Sequence, residues 1–175
     1  MTVRTSYFGG LNSEFEPADD ADVFGVVRYP QDFIERLADR NIPAVAPPKD
    51  LLNAYKAVEE AAENNGDPNP AAIAWSSVRY ESRYLAHLER AGPQVVLEEL
   101  RERARERDVW LICWEKDARW CHRRLLANEI VADLEEIDVV HHPNPSTIPL
   151  DVEEETDEET SPDASLADFA TGGGD

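Results

Sequence analysis

The chain has 175 residues, of which 37 are Asp or Glu and 17 are Lys or Arg, so its formal net charge is −20. This length fits one domain, and 42% hydrophobic residues are enough for a packed core. Two cysteines exclude a cysteine-rich secreted scaffold. No run approaches the roughly 20 apolar residues of a membrane-spanning helix. We therefore expect a cytoplasmic protein without a membrane partner.

Strands and helices are mixed along the predicted secondary structure. In chain order we predict a strand at 2–8, a strand at 22–28, a helix at 31–40, a helix at 49–63, a loop at 64–70, a helix at 71–90, a helix at 94–107, a strand at 109–114, a loop at 115–119, a helix at 120–134 and a strand at 137–140. The run at 109–114 is the most apolar and does not alternate, which is typical of a parallel strand covered on both faces. The order predicts an α/β fold, a single compact domain with a central, largely parallel sheet flanked by helices.

The acidic residues are concentrated, but not confined, at the C-terminus. Residues 151–175 contain ten acids and no base, which leaves 27 acids and 17 bases, a charge of −10, in the first 150 residues. We predict a domain at 1–149 and an acidic, disordered tail at 150–175. Because only three of the 17 basic residues are Lys, the composition favours a halophilic origin over an ordinary acidic protein. The charge weakens the case for a nucleic-acid partner, but at about 1 M salt screening leaves that role open.

One segment concentrates reactive side chains. Cys113 ends the most apolar strand, Glu115 follows it, and Cys121, His122 and Arg123 open the next helix. Ligands of open α/β sheets bind beyond the carboxyl ends of strands, and a helix N-terminus favours an anion. In such surroundings a thiol can ionise near neutral pH and act as a nucleophile. We therefore predict Cys121 as nucleophile, Glu115 or His122 as acid or base, and Arg123 as an anion clamp.

Each of these residues also has a simpler interpretation, and these alternatives stay open. Both cysteines can be small core residues, and Arg123 can pair with a nearby acid. The spacing Cys113-x5-Arg119 matches a phosphatase loop, but the bulky residues between them disfavour it. A metal site from Cys113, Cys121, His122 and His87 lacks a C-x2-C pair, so no metal is predicted and the cofactor is unknown. A redox disulfide between the two cysteines is likewise disfavoured.

Four motifs in one order resemble a known family. They are the run from Thr5 to Gly9, the stretch from Ala46 to Lys56, the pair Tyr80-x3-Tyr84, and Cys113-x-Glu115-x5-Cys121-His122-Arg123. Over residues 2–142 they resemble domain-of-unknown-function family 488 (DUF488), in a branch with a T-S-Y-F strand. The resemblance implies a compact α/β domain without a settled reaction. Its motif positions are Tyr7, Pro47, Pro48, Tyr55, Lys56, Tyr80, Tyr84, Cys113, Glu115, Cys121, His122 and Arg123.

A pocket built from these positions suits a phosphorylated or nucleotide-like ligand, because tyrosine faces stack and cationic side chains hold anions. Three functions remain open: an enzyme acting on a small anionic or nucleotide-like substrate, a binding module for a nucleotide or nucleic-acid end, and a purely structural motif. The oligomeric state is left open. The predicted substrate-binding residues are Cys113, Arg123, Tyr7, Lys56, Tyr80 and Tyr84.

Overall fold

Five parallel strands form the central sheet in a computed structural model that describes residues 1–11 and 13–149. The predicted tail at 150–175 lies outside the described residues. The sheet order is β3-β2-β4-β1-β5. The strands are β1 (Thr2–Tyr7), β2 (Asp22–Gly25), β3 (Arg40–Asn41), β4 (Val109–Cys113) and β5 (Asp138–His141). The predicted single α/β domain with a largely parallel sheet is therefore confirmed.

The middle strand β4 is buried along its whole length. It pairs with β1 on one side and β2 on the other, with Tyr7 beside Cys113 and Gly25 beside Ile112. A strand covered on both faces needs no polar positions, which explains the uninterrupted apolar run. This register brings the carboxyl ends of β1, β2 and β4 to the same edge of the sheet.

Five helices flank the sheet: α1 (Lys49–Asn65), α2 (Pro70–Ser77), α3 (Tyr80–Leu88), α4 (Ala91–Glu106) and α5 (His122–Val131). Helix α5 packs against β1, β4 and β5, and α4 packs against β4 and α5. The start of α5 therefore lies beside the end of β4, after a short loop. No helix in the described part of the chain is long and apolar enough to cross a membrane.

The predicted helix at 31–40 is wrong. The segment contains only a short 3-10 turn, Ile34–Arg36, and then enters the edge strand β3. Tertiary contacts decide this, because the Asn41 side chain accepts from the Val27 N–H (3.1 Å) and donates to the Val27 carbonyl (2.9 Å). The backbone also pairs with β2, since the N–H groups of Asp39 and Ile42 donate to the carbonyls of Val23 and Gly25 (2.8 and 2.7 Å).

The predicted helix at 71–90 is two helices. Arg79 adopts a left-handed conformation, with φ 49° and ψ 51°, between α2 and α3. Residues five apart point in different directions on a regular helix, but the break lets Trp75 and Tyr80 stack with ring centroids 4.3 Å apart. The predicted helix at 120–134 is also shorter, since α5 begins at His122 and ends at Val131.

The backbone at Arg79 predicts a stabilising substitution. A left-handed conformation costs a residue with a Cβ about 1–2 kcal/mol, and glycine avoids this cost while losing more entropy on folding. Since the Arg79 side chain is exposed, we expect Arg79→Gly to raise the free energy of unfolding by about 0.5–1 kcal/mol. The control Ala86→Gly, at an exposed position within α3, should lower it by about 1 kcal/mol. Chemical denaturation measures both, and equal losses would show that Arg79 is not strained.

Candidate functional site

A cavity of about 170 Å³ opens at the carboxyl ends of β2 and β4. Residues after β2, residues after β4, the N-terminal end of α5 and one side of α1 form its wall. Its lining is mainly apolar and aromatic, with a few polar groups, as expected of a small-molecule site. The lining residues are Val27, Arg28, Tyr29, Pro47, Leu52, Tyr55, Lys56, Tyr80, Cys113, Trp114, Glu115, Trp120, Cys121 and His122.

Two thiols and one imidazole form a tight cluster in the cavity wall. The sulfur atoms of Cys113 and Cys121 each lie 3.9 Å from Nδ1 of His122. All three atoms lie within 4.8 Å of one another, and both cysteines are free thiols. Cys113 is 4% exposed and Cys121 is 2% exposed. The cluster is therefore shielded from bulk water but borders a cavity that reaches the surface.

A backbone contact orients the imidazole. Nε2 of His122 lies 2.7 Å from the carbonyl oxygen of Val26, the residue just after β2. A carbonyl oxygen only accepts, so Nε2 carries the proton and donates it. In the neutral ring Nδ1 then holds a lone pair that faces the two sulfurs. The end of β2 thus sets the tautomer of a histidine on α5.

Arg123 is fully buried behind the cluster. Its guanidinium group donates to the carbonyl oxygens of Glu115 and Lys116, and to the latter at 2.8 Å. Within the described residues no carboxylate lies within ion-pair distance of it. Arg123 therefore holds the loop after β4 in place, and its buried positive charge favours a negative charge nearby.

The two thiols have opposite shifts in pKa. Burial by itself would raise the pKa of Cys121, but a hydrogen bond from the Cys113 thiol, the positive charge of Arg123 and the adjacent His122 ring hold it well below the usual value. The same hydrogen bond, together with burial and the charge on Cys121, raises the pKa of Cys113 well above its usual value. Cys121 is therefore the cysteine of the pair that loses its proton first.

Glu115 and Lys56 bring opposite charges to the cavity. Both residues are exposed. Nevertheless, protein atoms around the Glu115 carboxyl group remove part of its hydration, and this raises its pKa, as does the negative charge on Cys121. The charge of Lys56 acts in the opposite direction. Within the described residues no carboxylate is within 4.0 Å of the Lys56 amine, so it is available to a ligand.

The comparisons with known proteins decide the family. Residues 9–134 match the family model described as the active DUF488-N3 subclade. The chain belongs to the DUF488 family. No curated protein and no solved structure matches this DUF488 chain. The match covers the cavity and the cluster, so the predicted resemblance is confirmed over most of its range.

Six of the nine predicted site residues of this DUF488 protein line one cavity: Cys113, Glu115, Cys121, His122, Lys56 and Tyr80. The other three do not line it. Tyr84 is fully buried and donates to the Val45 carbonyl (2.6 Å), while Arg123 holds the loop carbonyls. Tyr7 donates to Glu14 (2.7 Å) outside the cavity. The hydroxyl groups of Tyr84 and Tyr7 and the two terminal nitrogens of Arg123 therefore bind protein oxygens rather than a ligand.

Other lining residues were not predicted as site residues. Tyr55 and Trp120 form aromatic walls, and Val27 to Tyr29 follow β2 just as Glu115 follows β4. The rule that ligands bind beyond strand ends applies to β2 as well and would have predicted Val27 to Tyr29 as lining residues. Arg28 is not free for a ligand, since its guanidinium donates to the carbonyls of Pro43, Ala46 and Pro47.

The geometry also bears on the alternatives. Arg119, which completes the phosphatase-like spacing, forms an ion pair with Asp117 (2.6 Å) and borders a different cavity. Nε2 of His87 donates to the Ala44 carbonyl (3.0 Å), and His87 is not part of the cluster. A purely structural motif would bury both sulfurs without an adjacent cavity, whereas here the buried sulfurs border one.

Proposed function

We propose that this DUF488 protein is a cytoplasmic thiol-dependent enzyme that acts on a small anionic or nucleotide-like substrate. One observation carries the proposal: the sulfur of Cys121 lies with a second thiol and an imidazole in the wall of a cavity that reaches the surface. A nucleophile with a base beside it is the arrangement that covalent catalysis requires. The description of the matched subclade as active supports catalysis over binding alone.

The size of the cavity limits the group that enters it. Its volume is about 170 Å³, and a cavity of about 150 Å³ in another protein holds one benzene molecule. A single planar ring or a group of similar size therefore fits, and a whole nucleotide does not. The apolar and aromatic wall of Tyr55, Tyr80 and Trp120 favours a ring. The anionic part of the substrate would remain at the mouth, where Lys56 is exposed.

The proposed roles follow from these positions. Cys121 attacks the substrate group in the cavity, and the sulfur–substrate bond forms as the leaving group departs. His122 accepts the thiol proton at Nδ1, because Nε2 already donates to Val26. Glu115, at the mouth, exchanges a proton with the leaving group or with water. Arg123 is a positioning residue, since it holds the loop that carries Glu115 and does not line the cavity.

Mass spectrometry tests the proposal. Small-molecule ligands that copurify with the protein in molar salt would be identified, and these ligands and a panel of phosphate esters and nucleotides would then be incubated with it. We expect turnover of one member, or an adduct on Cys121, and loss of at least 100-fold in rate in Cys121→Ser. Tyr7→Phe is the control and should keep the full rate, because Tyr7 lies outside the cavity.

Two results would contradict the proposed enzymatic function. If Cys121→Ser keeps its turnover, Cys121 is not the nucleophile. If a ligand binds stoichiometrically without turnover or adduct, the cavity belongs to a binding module for a nucleotide or nucleic-acid end.

A further inference from the structure

We propose that the sulfurs of Cys113 and Cys121 and Nδ1 of His122 form a three-ligand site for Zn²⁺, with the cavity as the open fourth position. The inference goes beyond the proposed enzyme. A bound Zn²⁺ occupies both sulfurs, so the metal-loaded protein is a state in which thiol chemistry is blocked. The site is argued from the positions of these three atoms and of the groups around them.

The distances fit a metal better than a hydrogen bond. Both sulfur-to-nitrogen distances are 3.9 Å, which is long for direct hydrogen bonds. In a tetrahedral site with Zn–S of about 2.3 Å and Zn–N of about 2.0 Å, the ligand atoms lie about 3.5–3.8 Å apart. The three atoms of the cluster lie within 4.8 Å of one another. Small side-chain rotations therefore suffice to bring them to bonding distance from one ion.

The surroundings of the histidine are those of a metal ligand. Imidazole ligands usually donate the N–H on the other side of the ring to a carbonyl or carboxylate, which fixes the tautomer. His122 does this through Nε2, at 2.7 Å from the Val26 carbonyl. The remaining nitrogen, Nδ1, faces the two sulfurs. This contact is independent of the cysteines and indicates a ligand at Nδ1.

The donor types select the metal. Two thiolates and one imidazole suit Zn²⁺, whereas Mg²⁺ and Ca²⁺ require oxygen ligands. On binding, each S–H bond breaks, its proton leaves to solvent, and the electron pair of the sulfur binds the metal. The charges of the two thiolates then balance the ion. No electron transfer or co-reactant is needed.

The test uses the full chain in molar salt after treatment with a chelator. Zn²⁺ added in competition with a chromogenic chelator should bind one ion per chain, and excess Mg²⁺ or Ca²⁺ should not displace it from this site. Cys113→Ser and Cys121→Ser should each weaken binding by more than about 100-fold, beyond the effect of losing a supporting contact. His87→Asn is the matched control, a buried histidine outside the cluster, and should bind normally.

Spectroscopy on the unmodified chain makes the test independent of variant folding. With Co²⁺ in place of Zn²⁺, sulfur-to-metal charge-transfer absorption should appear, and X-ray absorption at the zinc edge should show two sulfur neighbours. Absence of stoichiometric binding, or a signal from oxygen ligands alone, would overturn the site and would indicate adventitious binding to the acidic surface.

The experiments can contradict the zinc site and the proposed enzymatic function independently of each other. Alkylation of Cys121 is measured first in the metal-free chain, where it reports on the thiol without the metal. One equivalent of Zn²⁺ should then slow this alkylation by at least about 100-fold, because both sulfurs are bound. Turnover without zinc binding would contradict only the zinc site, and zinc binding without turnover by the metal-free chain would contradict only the enzyme.

Discussion

Arg123→Met is expected to lower the free energy of unfolding by about 3 kcal/mol, because two carbonyl oxygens lose a charged donor. Arg123 is fully buried and donates to the carbonyls of Glu115 and Lys116. Methionine replaces much of the apolar stem, so the loss reports mainly on the guanidinium group. The loop that carries Glu115 should also loosen, which would expose Cys113 and Cys121 to water.

The neighbouring Arg124 is a matched control. It lies on the same turn of α5, but its side chain is 28% exposed and its ion pair with Glu81 spans 3.5 Å. An exposed pair of this kind contributes less than about 1 kcal/mol, so Arg124→Met should have a small effect. Urea denaturation and alkylation of the cysteines measure both variants. Equal losses of stability would show that the loop does not depend on Arg123.

The free energy of unfolding of the full chain should increase by about 3 kcal/mol or more between 10 mM and 1 M salt, because salt screens repulsion among the acidic groups. For a domain of this size this corresponds to a rise in Tm of about 6–12 °C. The formal charge of −20 is the basis of this prediction. Differential scanning calorimetry across the salt range measures it. A Tm independent of salt would contradict the halophilic interpretation.

Truncation after Leu150 separates the domain from the tail. Removing residues 151–175 takes away ten acids and leaves a charge of −10. In molar salt the truncated chain should unfold at the same temperature as the full chain. In dilute buffer it should unfold at a higher temperature, since half of the excess charge is gone. An unfolded truncated chain would show that the tail is part of the folded domain.

Local patterns were sufficient where one stretch of chain determines its own burial. The apolar run at β4 predicted a covered parallel strand, and the helix predicted from residue 49 begins there. Local patterns were insufficient where contacts with residues distant in sequence determine the secondary structure. The segment at 31–40 leads into the sheet edge at Arg40, which pairs with Phe24 of β2, and the 71–90 segment bends so that Trp75 meets Tyr80.

The candidate site likewise contains residues that local sequence patterns predict and residues whose position they do not predict. The rule of strand ends identified Cys113 and Glu115, and the start of a helix identified Cys121 and His122, because the backbone topology carries these residues to one edge. Spacing gave no information on where a long side chain ends. Arg123 is adjacent to His122 in sequence, yet its charged end lies behind the loop.

The α/β class of the fold and the position of the reactive segment follow from local residue patterns. Hydrophobic periodicity and strand ends are properties of short stretches of chain. The geometry of the cluster does not follow from such patterns. The Val26 carbonyl, 96 positions before His122, fixes the proton on Nε2 and turns Nδ1 toward two sulfurs from different elements. Such an arrangement exists only after β2, β4 and α5 have packed together, since each supplies one part of it.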